Sequence, residues 1–209
     1  MGPGSGDRRI LILSTRLASG YPICVMTLLG YKETGNVTKQ NANRAVDIPA
    51  EPAATPPGKT VDESRVVMAI TMQPPDANSW GNVHGGTIMR LADEAGGAAA
   101  IRHSRARCVT VAMDSMVFKE PVYIGDLLTI RACLTYTGRT SMEVEALIEA
   151  EDLRTGKVRN AGASHLVYVA IDDLGRPTPV PPLVLQTEEE RERWRAAEER
   201  RAFRVRSRP

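Results

Sequence analysis

Aromatic side chains are nearly missing from this 209-residue chain: Phe, Trp and Tyr together make up 4%. A core must therefore be assembled from Val, Ile, Leu, Met and Ala. Cysteine is scarce as well. Cys24, Cys108 and Cys133 stand far apart, form no CxxC pair and have no histidine cluster beside them. That argues against a disulfide framework and against a metal centre, and it suits a reducing, cytoplasmic compartment. Neither sign of charge dominates: 27 Lys and Arg against 25 Asp and Glu leave +2, which gives no reason to expect nucleic acid. No apolar run reaches the roughly 20 residues of a membrane helix. The longest candidate, ILILSTRLASGYPICVMTLLG, is broken by Arg16, Gly20 and Pro22. What is present, 42% hydrophobic and 25% charged residues, is the mixture of a soluble globular protein with one sizeable core.

The chain divides into three regions. Residues 1–60 read as a weakly ordered extension, because KETGNVTKQNANRAVDIPAEPAATPPGKT is too polar and Pro/Ala-rich to offset its ordering entropy. The arginines of MGPGSGDRR ahead of a short apolar run also resemble the start of a targeting segment, though a disordered extension is the more economical reading. Residues 61–185 carry the order. A strand is predicted over 65–72, a turn-rich loop over 73–86, a helix over 87–103 and a strand over 108–118. After a bridge at 119–126, strands are predicted over 127–138, 140–153 and 160–172, joined by tight turns that call for antiparallel hairpins. TSMEVEALIEAE alternates, with Met142, Val144, Ala146 and Ile148 on one face and Glu143, Glu145 and Glu149 on a face expected to be wet. One long helix followed by strands alone is an α+β layout, a curled antiparallel sheet wrapped around one helix. Residues 186–209 read as a charged helix held by i,i+4 ion pairs and exposed to solvent, ending in a basic tail.

The informative stretch is GNVHGGTIMRLADEAGGAAA, residues 81–100. At 100° per residue Ile88, Leu91, Ala92, Ala95 and Ala99 form the sheet-facing stripe, and Arg90 and Glu94 face solvent. Asp93 belongs to neither. It projects with Met89, Gly96, Gly97 and Ala100, a flank of mostly small side chains. Adjacent glycines in a helix each cost about 1 kcal/mol against alanine, so something is expected to approach closely there, a backbone or a ligand. An acid on that flank is costly to desolvate unless it is paired. Gly85 and Gly86 fall at the helix start, where free N–H groups and the positive end of the dipole can polarise a carbonyl and hold an oxyanion. Asn82 could orient a water or a substrate from the loop. His84 could act as a base but has no orienting acid in sequence, and it reads more simply as bracing the loop. His103 and His165 belong to no constellation. Gly162–Ser164 lies inside a strand and lacks the GxSxG elbow, which argues against Ser-His-Asp hydrolysis.

Four motifs in order, GNVHGGTIMRLADEAGG, CVTVAMDSMVFKEPVYIGD, GRTSMEVEALIEAED and VYVAIDDLGRPTPVPPL, resemble the hotdog-fold acyl-CoA thioesterases of the cytosolic acyl-CoA hydrolase group over about 66–184. The resemblance implies a hotdog fold and hydrolysis of acyl-CoA to a fatty acid and coenzyme A, without a metal or other cofactor. It places the functional acid on Asp93, as general base or nucleophile, and its loop partner on Asn82. In the family these two meet across a dimer interface, so a homodimer is expected, and many relatives assemble further into trimers of dimers. Gly85, Gly86 and His84 would face the thioester, and Arg139 and Ser141 would contact coenzyme A. A non-catalytic acyl-CoA sensor is the alternative from another class. It would carry a helix-turn-helix segment and lack the helix acid. Hotdog hydratases and dehydratases would need a differently placed Asp/His pair.

Overall fold

The computed structural model describes residues 56–207. The expected extension therefore lies outside the described residues as far as position 55, and any targeting segment with it. In chain order the elements are β1 (Lys59–Thr60), α1 (Val61–Ser64), β2 (Val66–Thr71), a 3-10 turn (Pro74–Asp76), α2 (Gly85–Ser104), β3 (Arg107–Phe118), β4 (Leu127–Thr137), β5 (Ser141–Asp152), β6 (Lys157–Ile171), β7 (Leu183–Val184) and α3 (Glu188–Arg206). Five strands form one antiparallel sheet in the order β2-β4-β5-β6-β3. This is the hotdog arrangement: α2 packs against every strand of the sheet.

The small residues explain how one helix can touch five strands. Ala92, Ala95, Ala99 and Ala100 are buried without exception and let the strands come close. On the sheet, Met142, Val144, Ala146, Ile148 and Ala150 of β5 all face this core, as the alternation requires. His103 closes the far end of α2. It is fully buried, with Ser64 Oγ at 2.7 Å from Nδ1 and the Pro181 carbonyl at 2.9 Å from Nε2.

Two expectations need correction. Lys59 and Thr60, read as part of the extension, pair in parallel with Leu183 and Val184, and Thr60 caps α1. Two-residue strands leave no periodicity to read. The charged helix α3 is not solvated all round either. It lies on the outer face of the sheet, with Ala197 buried and Trp194 4.5 Å from the Tyr136 ring. Glu143 and Glu145 of β5 consequently face α3 rather than water, while Glu149 stays partly exposed beside Arg131 of β4. Glu143 is 1% exposed and takes bonds from Arg200 Nη2 (2.6 Å), Arg204 Nη1 (3.1 Å) and Thr135 Oγ1 (3.0 Å). Glu145 meets Arg193 and His165, whose ring is the main cause of a carboxyl pKa below the ordinary value.

Candidate active site

Asp93 sits eight residues beyond Gly85 in α2, about 12 Å along the helix axis from its N-terminus. Its carboxylate is half-buried against the sheet. Thr110 Oγ1 donates to Oδ1 at 2.8 Å, and the Tyr168 hydroxyl lies 3.1 Å from the same oxygen and 3.0 Å from the Asp93 carbonyl. Thr110 and Tyr168 are register partners across β3 and β6, so their side chains project to one face together, towards the helix. Oδ2 has no donor among the described residues. Burial, with the Asp93 charge second, pushes the Tyr168 phenol well above its ordinary pKa, so it stays a proton donor. The neighbouring Cys108 thiol is also raised by burial.

The paired glycines now have a definite cause. A Cβ on Gly96 would stand 2.5 Å from the Tyr168 hydroxyl, and one on Gly97 3.7 Å from its ring. The close approach expected at this flank is made by a tyrosine from β6. Sequence reading found neither Thr110 nor Tyr168, which lie 17 and 75 residues from the acid. The only signal was the unexplained glycine pair.

The loop residues gather elsewhere. Asn78, Asn82, Gly85, Ile88, Phe118 and Val122 are among those lining an open cavity of about 310 Å³ at the N-terminus of α2, and Asp93 is not among them. Asn78 Oδ1 accepts from the Trp80 and Asn82 amides at 2.8 and 3.2 Å. This fixes the orientation of its side chain and leaves Nδ2 without an acceptor among the described residues. The Asn82 side chain has no bond there either, and its backbone forms a bridge with Tyr123. His84 is the helix cap, its Nδ1 accepting from Gly86 N at 2.9 Å. That arrangement removes Gly86 from the expected oxyanion pair and commits the imidazole nitrogen that a base would use. Gly85 N–H remains without an acceptor among the described residues, with the Phe118 ring beside it. Arg139 and Ser141 lie at the β4–β5 turn and do not line this cavity. Among the described residues no group of three or more His, Cys, Asp or Glu side chains is placed to hold a metal ion.

A sheet curled about one helix, with an acid on the helix flank and a free amide at its start, defines the hotdog class. Residues 81–157 match the thioesterase superfamily. The chain is 34% identical over 146 residues to the mouse cytosolic acyl coenzyme A thioester hydrolase, covering 69% of this chain but only 38% of that protein's length. An apo-hexameric acyl-CoA thioesterase superposes with a TM-score of 0.70 at 35% identity, covering 72% of this chain and 96% of the other. An acyl-CoA hydrolase of Staphylococcus aureus, solved with butyryl coenzyme A, coenzyme A and coenzyme A disulfide, gives 0.66 at 34% identity, covering 72% and 94%. The chain belongs to this acyl-CoA thioester hydrolase family of hotdog proteins. Alanine variants of the staphylococcal protein replace an aspartate, an asparagine 15 residues before it and a threonine 17 residues after it. Asn78, Asp93 and Thr110 have those spacings in this chain.

Proposed function

We propose that the protein hydrolyses acyl-CoA thioesters at a site shared between two copies of the chain. The observation that carries this reading is the separation, within one protomer, of the Asp93 carboxylate from the asparagine loop and the free Gly85 amide. Neither half is sufficient. The amide end can polarise a carbonyl, but the one carboxylate that lines its cavity, Glu120, is exposed and has no hydrogen-bond donor to orient it among the described residues. The Asp93 carboxylate has a free oxygen and nothing to hold an oxyanion.

The edge strand β3 offers a way to join them. It is long, and its outer N–H and C=O groups are open to pairing. Thr110, against Asp93, lies near its start, and Phe118, against Gly85, is its last residue. Two β3 edges paired antiparallel would set the end of one against the start of the other. Each Asp93 would then face its partner's loop, and a dimer would hold two equivalent sites. The hexameric relative is in keeping with three such dimers. The reading also places the protein in the cytoplasm, in keeping with its cytosolic relative.

In this arrangement the thioester oxygen receives the Gly85 N–H and the Asn78 amide, with Asn82 beside it. Asp93 acts through Oδ2, either taking a proton from the attacking water or attacking the carbonyl carbon itself to form a mixed anhydride, which a water then hydrolyses to regenerate the carboxylate. The C–S bond breaks, the thiolate takes up a proton, and free acid and coenzyme A leave. Following thiol release with a panel of acyl-CoAs tests the reading. Asp93→Ala should lose roughly a thousandfold or more in kcat while remaining a folded oligomer. Asn78→Ala should cost more than Asn82→Ala. A wild-type protein that binds acyl-CoA without releasing thiol would leave the sensor reading in its place.

A further inference from the structure

Two hydroxyls hold one oxygen of Asp93, and the tyrosine reaches it only because position 96 has no side chain. The phenol is buried, 1% exposed, on a strand that contributes nothing else to the site. Its hydrogen is shared between Oδ1 and the main-chain carbonyl of the same residue, which ties the carboxylate to its own backbone. We infer that Tyr168 is a positioning residue, which together with Thr110 clamps Oδ1 of Asp93, fixes the rotation of the carboxylate and directs Oδ2 to the substrate. The inference rests on the reading of Asp93 as the reacting group.

Removing the hydroxyl frees the carboxylate to turn about its Cβ–Cγ bond and strips it of one donor. The first effect lowers kcat, because the reacting oxygen is no longer held in place. The second leaves Thr110 as the one donor to the carboxylate among the described residues. Substrate binding, which lies with the loop and the helix start, should change little.

The test is Tyr168→Phe, which keeps the ring and its packing. Kinetics are measured with one acyl-CoA, and Asp93→Asn is run in parallel. Expected are a fall in kcat of about tenfold and a KM within about twofold of wild type. Gly96→Ala is the second variant. It keeps the hydroxyl but pushes it off the carboxylate, so it should lower kcat with KM little changed, and it carries the test alone if Tyr168→Phe does not fold. A folded Tyr168→Phe enzyme with wild-type kcat overturns the inference and leaves the proposed function standing. An active Asp93→Asn enzyme overturns the reading of Asp93 as the reacting group, on which the inference rests.

Discussion

Glu143 shows how one residue can mislead a reading of sequence. On an alternating strand it occupies a polar position, and polar positions on an antiparallel sheet normally face water. Here α3 covers that face and two of its arginines reach Glu143. Ion pairs of this kind add little net stability over an apolar pair, but breaking one from a single side strands a buried charge. Replacing both Arg200 and Arg204 by alanine should destabilise the protein by about 3–5 kcal/mol. Glu143→Gln should cost less, since both arginines are partly exposed and can be hydrated. Urea unfolding at fixed protein concentration makes the comparison. Equal costs would mean that desolvation of Glu143 is not what α3 offsets. Asp93 was legible from its neighbours in sequence, because an acid among glycines and alanines fits neither the buried nor the exposed face of a helix. Its partners were not, because hydrogen bonds from strands β3 and β6 leave no mark on local spacing.

At the scale of elements, the long strands and α2 follow from periodicity and turn chemistry, with boundaries within a few residues. The bulges at Val111 and Asp114 of β3 were invisible to that reading, as they come from register with β6. So did the docking of α3, whose charge runs round most of its surface. What can be attached to a sheet cannot be judged from a helix that is almost wholly polar. The α2 C-terminus makes a prediction of its own. Burial holds the His103 ring below its ordinary pKa of 6.5. A depressed pKa means that the unfolded chain binds the proton more readily, so stability is full above about pH 6.5 and is lost as pH falls below it. Thermal unfolding should shift down between pH 7.5 and 5.5, and His103→Gln should be less stable at pH 7.5 but flatter across the range. Parallel curves would show that another group sets the acid sensitivity.

For the whole molecule, the resemblance carried by the motifs implied the fold class and a site whose two halves meet across a dimer interface. In the structure the two halves lie apart within one protomer. That follows from the rise of a helix, about 12 Å between Gly85 and Asp93, and from a cavity that Asp93 does not line. The account therefore stands or falls on whether two chains build each site. The direct measurement is complementation. Asp93→Asn and Asn78→Ala chains, each inactive alone, are co-expressed with different tags, and hybrid dimers are purified on both. A hybrid has one site with both defects and one with neither. Thiol release per hybrid should return to roughly half that of the wild-type dimer. Hybrids as inactive as the parent variants would place Asn78 and Asp93 in the same chain's site and contradict the shared-site account.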